Sequence, residues 1–395
     1  MELSRREWIG GVGAALLPCA AMGQAPGARV AIGQCKTYNA ELVPVLDRMF
    51  DQLNVEKLVR NKTVAIKVNL TGSPTIRLGY EPLEISHYTH PAVIGATVHL
   101  LGRAGARRIR IVESPWATAE PIEEQMLMAN WEPNSILRAA QTVEFENTNW
   151  LGKAKKYSRF TVPKGGHVFP GFDLNHSYED CDVFVSLAKM KDHVTAGITL
   201  SMKNCFGITP CTVYGEGSGD DEPSLLPRGG RSMFHSGKRT PPKSAPQENK
   251  HGGPQQDGWR VPRIVADIVA ARPIHLAIIE GIQTMSGGEG PWTGPGLKIV
   301  SPGVIVAGLN PVATDAVAMR VMNYDPMADR GKPPFETCDS TLRLAEELGV
   351  GTRDANRIEV VGVPVEKAKT VDFAMLREEK KALIRQFGRR RRNQG

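Results

Sequence analysis

The stretch LAKMKDHVTAGITLSMKNCFG (187–207) places Lys189, Lys191, His193, Lys203 and Asn204 directly behind the apolar run DVFVSL (182–187). These polar residues alternate with Met190, Val194, Ile198, Leu200, Met202 and Phe206. A solvated surface does not usually interleave its cations with so much apolar bulk. Lysines beside a histidine and carboxylates suit a site that holds an anion and moves a proton, or that holds a metal between acids. Other strand-like runs end in matching groups. IKVNLTG supplies Lys67 and Asn69, RIRIVES supplies Glu113, and HLAIIEG supplies Glu280. In open parallel sheets, ligands bind beyond the carboxyl ends of the strands, so these residues are expected to converge.

The expected division of labour follows from side-chain chemistry. Lys67, Asn69, Lys189, Lys191, Lys203 and Asn204 would hold the anion; His193, Glu113, Glu280 and Asp315 would carry acid–base or metal work. Asp315 joins the set because it falls in the apolar stripe Val312, Ala316, Met319, Met322 of the helix-type segment 311–323. A carboxylate facing a core needs a partner, and the strand-end lysines or His193 are the expected ones. The loop MSGGEGPWTGPG (285–296) surrounds Glu289 and Trp292 with glycine and proline. Such a loop lets backbone amides approach an anion, although it lacks the Gly-Lys-Ser/Thr ending of a nucleotide-binding P-loop. None of the nine histidines shows metal-ligand spacing. His90 before Pro91 and Asn310 before Pro311 read as helix caps. The cofactor stays open: a divalent metal between carboxylates fits, and no cysteine motif for an iron–sulfur cluster is present.

The elements that must position these residues alternate strand and helix. RVAIGQ (29–34) precedes a helical pattern over 40–54, and TVAIKVN (63–69) precedes one over 91–105 that leads into RIRIVES (108–114). Strands at 182–187, 275–281, 303–309 and 357–362 and helices after 260, at 311–323 and at 340–349 continue the rhythm. The pattern predicts an α/β fold with an open, mostly parallel sheet flanked by helices. It also allows two lobes, 29–150 and 180–365, within one domain over 29–370. Residues 214–259 break the rhythm, with nine Gly and six Pro among 46 residues. A segment of that length and composition is either a flexible insertion or a cover over the site.

The 395 residues carry a net charge of +7, with 41% apolar and 23% charged side chains. From Leu376 to the end, eight Lys/Arg stand against two Glu; the remaining 41 and 40 nearly cancel. The body is therefore close to neutral, no nucleic-acid partner is expected, and 371–395 reads as a basic C-terminal tail. No run is apolar enough to span a membrane in the mature chain. Arg5–Arg6 behind Ser4, followed by GVGAALLPCAAMG, predicts a twin-arginine signal over 1–28, with the translocation machinery as partner and the periplasm as destination. Beyond it, five cysteines leave at least one unpaired within the chain, and Cys205 with Cys211 could bridge in an oxidising compartment or stay as buried thiols.

Taken together, VAIKVNL, THPAVIGATVHLLGRAGARRIRIVES, DVFVSLAKMKDHVTAGITLSMKNCFGI, IIEGIQTMSGGEGPWTG and GLNPVATDAVAMRVMNYDP resemble the bacterial and archaeal family called domain of unknown function 362. The resemblance runs in order from about residue 63 to 350. Some members carry a ferredoxin-like cysteine module, which this chain lacks. The resemblance thus implies no reaction. The residues themselves predict an exported α/β enzyme acting on a small anionic ligand, a carboxylate or phosphate. The alternatives are a non-catalytic periplasmic binding protein, or an accessory factor that matures an exported redox enzyme.

Overall fold

In the computed structural model, which describes residues 27–116, 121–251 and 255–392, eight strands form one central sheet. In chain order they are β1 (Ala28–Gln34), β2 (Thr63–Lys67), β3 (Arg108–Glu113), β4 (Val143–Asn147), β5 (Val183–Lys189), β6 (Leu276–Gly281), β7 (Val304–Gly308) and β8 (Ile358–Gly362). Their spatial order is β8-β1-β7-β6-β5-β2-β3-β4. Pairing is parallel throughout except where β7 lies antiparallel between β1 and β6. The segments 29–150 and 180–365, allowed as lobes by the sequence, share this one sheet, with β1 inserted between β8 and β7.

The central strands read as continuous apolar runs because helices cover both faces. Every residue of β2, β5, β6 and β7 is buried. On one face, α1 (Leu42–Gln52) and α2 (Pro91–Arg103) pack over Val64, Ile66, Val183, Val185 and Ile278. On the other, α3 (Arg260–Ala271), α4 (Pro311–Val321) and α5 (Thr341–Glu347) pack over Ala65, Phe184, Ala188, Ile279 and Val306. The predicted caps form. His90 accepts the Ala92 amide at 3.1 Å, and Asn310 accepts that of Ala313 at 3.0 Å.

Three additions lie at or over the carboxyl ends of β2, β3, β5 and β6. A hairpin, Lys191–His193 with Gly197–Thr199, follows β5. A second, Thr284–Ser286 with Lys298–Val300, carries the glycine-rich loop at its tip and reverses the chain between β6 and β7. That reversal is why β7 runs backwards, and it puts Asn310 at the opposite end of the strands from Lys67 and Glu280. The segment 214–259 supplies the third addition. Its described residues have little regular structure besides the turn of helix Ser232–His235, yet Arg231, Met233 and Phe234 are buried in it.

The basic C-terminal stretch forms α6 (Phe373–Arg392). It is not wholly a solvated end. Lys380 Nζ donates to the carbonyls of Gly287 (2.6 Å) and Thr293 (2.9 Å), and Arg377 donates to those of Gly197 (3.3 Å) and Pro334 (3.0 Å). Both hairpins over the strand ends are thus braced by one helix. Among the described residues no helix is long and apolar enough to cross a membrane. The twin-arginine segment expected over 1–28 falls almost entirely outside the described residues.

Candidate functional site

The parallel register brings the charged strand ends together. Lys67 aligns with Val112, one residue before Glu113, and its ammonium lies 2.7 Å from the Glu113 carboxylate. Burial lowers the Lys67 pKa, and the adjacent Glu113 charge opposes that shift. Lys67 also donates to the Val68 carbonyl (2.6 Å) and reaches Asn204 Oδ1 at 3.3 Å. Asn69 donates to the same Asn204 oxygen at 3.0 Å. Gly207 fits close behind, since a Cβ there would stand 3.0 Å from both Lys67 Nζ and Glu113 Oε1.

Above this floor opens a cavity of about 240 Å³. Six of the residues expected from sequence line it: Lys67, Asn69, Glu113, His193, Lys203 and Asn204. Glu289 and Trp292 of the glycine-rich loop face it from above, and Arg231 and His235 close it from the segment 214–259. At the mouth the indoles of Trp116 and Trp292 lie parallel, centroids 6.4 Å apart and planes inclined by 2°. Gly72 permits this position: it has φ +83°, and a Cβ would meet the Trp292 ring at 2.2 Å.

Lys189, Lys191 and Glu280 lie outside the cavity wall. Lys189 faces Glu280 across β5 and β6, 2.9 Å away, and both are fully buried. Tyr38 donates to Glu280 at 2.6 Å, and Lys189 also donates to the Glu84 carbonyl at 2.7 Å and to the Tyr38 hydroxyl at 3.4 Å. Lys191 gives its protons to Asn69 Oδ1 (3.1 Å) and to the carbonyls of His87 (2.7 Å) and Glu289 (3.1 Å). Three acceptors saturate an ammonium. These two lysines hold loops against the strand ends and have no proton left to offer a ligand.

Asp315 is elsewhere. Its carboxylate accepts the backbone amides of Ser201 (2.9 Å) and Met202 (3.1 Å) and the Ser201 hydroxyl. The partners expected from sequence, lysines or His193, are replaced by the first turn of helix Ser201–Asn204, whose free amides need an acceptor. Glu113, Glu280 and Asp315 therefore occupy three separate environments rather than one. Among the described residues, no group of three His, Cys, Asp or Glu could hold a metal ion. The five described cysteines are buried and free, so Cys205 and Cys211 are not bridged.

The cavity's histidines are neutral and complementary. Burial and then the Lys203 charge hold His193 well below its usual pKa. Its Nδ1 accepts the Thr195 amide at 3.1 Å, so Nε2 carries the proton. His235 is exposed at the rim, but the protein around it and the Lys203 charge push it down to about 4. Its Nδ1 faces the Arg231 carbonyl at 3.1 Å and must donate, leaving Nε2 as an acceptor. Among the described residues, Lys203 Nζ has no hydrogen-bond acceptor. Its Nζ sits 4.0 Å from the Phe206 ring centroid. Burial pushes its pKa down to about 7 although Glu289 pulls the other way.

Arg231 and His235 were missed in the sequence because they fall in a stretch without periodicity. The signal there is faint: RSMFH (231–235) is an aromatic island with a histidine inside a Gly/Pro-rich segment.

No curated protein matches this chain. A Thermotoga maritima protein of known crystal structure is similar over 42% of this chain and 37% of its own length, at 15% identity and a TM-score of 0.27. The model of the family described as domain of unknown function (DUF362) matches residues 64–320, the span holding all eleven cavity side chains named above, from Lys67 to Trp292. The chain belongs to that family.

Proposed function

We propose that the protein is an enzyme acting on a small anionic ligand, a carboxylate or phosphate, bound in the cavity above Lys67 and Glu113. The supporting observation is Lys203, without a hydrogen-bond partner among the described residues, in a cavity shared with neutral His193 and His235. A cation without a protein partner favours an anion, and a proton donor beside an acceptor suits general acid–base chemistry. Arg231 strengthens the anion subsite. It gives Nε and one terminal nitrogen to the carbonyls of Thr209 and Ser114, while no acceptor for its other terminal nitrogen occurs among the described residues. Charge-assisted hydrogen bonds from these groups contribute roughly 1.5–3 kcal/mol each.

The test is a melting-temperature titration with small carboxylates and with phosphate. A saturable rise, lost in Lys203→Ala, supports the cavity as an anion site. No rise with any of them overturns it. Stabilisation without turnover of any stabilising anion would leave a binding protein. Export belongs to the same proposal: Arg5 and Arg6 read as a twin-arginine signal that delivers the protein to the periplasm. Changing both to Lys should strand it in the cytoplasm, and normal export of that variant would refute the route.

A further inference from the structure

We propose that Lys203 is a covalent nucleophile for a 2-oxo acid: its amine condenses with the ligand's ketone while the ligand's carboxylate meets Arg231. The inference rests on the cavity being an anion site, and it adds the substrate class and the bond formed.

The observation that separates Lys203 from its neighbours is its lack of partners. Lys67, Lys189 and Lys191 each donate to at least two protein oxygens. Lys203 has no hydrogen-bond acceptor and no carboxylate within 4.0 Å among the described residues; its recorded neighbour is the face of Phe206. It lines a cavity that also receives Lys67 and Arg231. Burial, with these like charges, favours the uncharged amine, and its pKa of about 7 leaves a large share unprotonated at neutral pH. An unprotonated, desolvated lysine is the form that attacks carbonyl carbon.

The surrounding groups can move the protons that the condensation requires. The amine adds to the ketone carbon, and the adduct's nitrogen loses a proton to the His235 acceptor. The carbonyl oxygen takes one from the His193 Nε2–H, which solvent replaces, and a second, the proton just given to His235, as it departs as water. One C–N double bond replaces one C–O double bond, and ketone plus amine plus one proton give iminium plus water. No oxidant or reductant is involved. The parallel indoles of Trp116 and Trp292 at the mouth favour a flat substituent on the acid.

The experiment incubates the full chain with pyruvate or phenylpyruvate and sodium borohydride, followed by peptide mass spectrometry. Borohydride delivers hydride to the iminium carbon, so the trapped peptide gains the oxo acid less one oxygen atom. The expected result is a modification concentrated on Lys203, blocked by excess phenyllactate, which carries the carboxylate but no ketone. Lys203→Arg should lose the modification while phenyllactate still raises its melting temperature. Protection by phenyllactate is read on the unaltered chain, so the test survives a variant that fails to fold. Stabilisation by phenyllactate without trapping would overturn the covalent step and leave the anion site standing. Modification spread evenly over surface lysines would overturn it equally. No stabilisation by either acid and no trapping would remove both readings.

Discussion

Lys189 and Glu280 face each other across two adjacent parallel strands, nitrogen and oxygen 2.9 Å apart, with neither side chain reached by solvent. A pair so placed is costly to break from one side. Lys189→Ala strands a buried carboxylate and should cost about 3–5 kcal/mol in urea denaturation. Replacing both residues, Lys189→Met with Glu280→Leu, should recover much of that loss, because no charge is left behind. A single Lys189→Ala as stable as the parent would mean that the pair is not buried as described.

Asp315 sets a pH dependence. Burial raises its pKa from the ordinary 3.8 to about 7, against hydrogen bonds from Ser201 and Met202 that favour the charged form. The folded state then binds a proton that the unfolded chain has released. The stability so gained is fully present below the ordinary value and lost as pH rises through about 7. The parent should weaken between pH 5 and 8, measured as unfolding free energy. Asp315→Asn, neutral throughout, should show a flatter profile over that window. Parallel profiles would place the titration on another group.

In the proposed function, the Trp116–Trp292 pair is both a ligand contact and a reporter. A flat ligand settling against the indoles should quench intrinsic fluorescence in a saturable way. Trp292→Ala should then weaken binding about threefold to tenfold, the usual worth of one aromatic contact. Gly72→Ala should act on the same ring from below, since its Cβ would need space that the indole fills. Its expected signature is a shifted Trp emission maximum in the ligand-free protein. An unchanged maximum would show that the indole is held by other contacts.

Much of the architecture could be read from the order of apolar runs. TVAIK and VFVSL are rich in β-branched and aromatic residues and buried on both faces, and helical patterns separate them. The reversal of β7 could not be read, because a long connection between two strands does not disclose whether it crosses over or doubles back. Cavity-lining residues were legible at or just beyond a strand end, as for Lys67, Glu113 and His193. Lys189 and Lys191 show the limit of that reading. Sequence places a lysine at a strand end but does not reveal which backbone carbonyls will surround it. Asp315 is similar: its need for a partner was visible, but the turn that supplies two amides comes from 113 and 114 residues earlier in the chain. Arg231 and His235 depend on a loop whose path has no periodic signature.

The bracing by α6 has a consequence for how binding competence arises. Arg377 reaches a carbonyl 180 residues away, and Lys380 reaches two that are 93 and 87 residues away. Contacts of such separation close late, after the entropy of large loops has been overcome. The cavity walls between residues 67 and 292 are therefore not a local unit that could form on a partly folded chain. A ligand held there binds the globally folded molecule, and mass action returns its affinity as resistance to unfolding of the entire sheet.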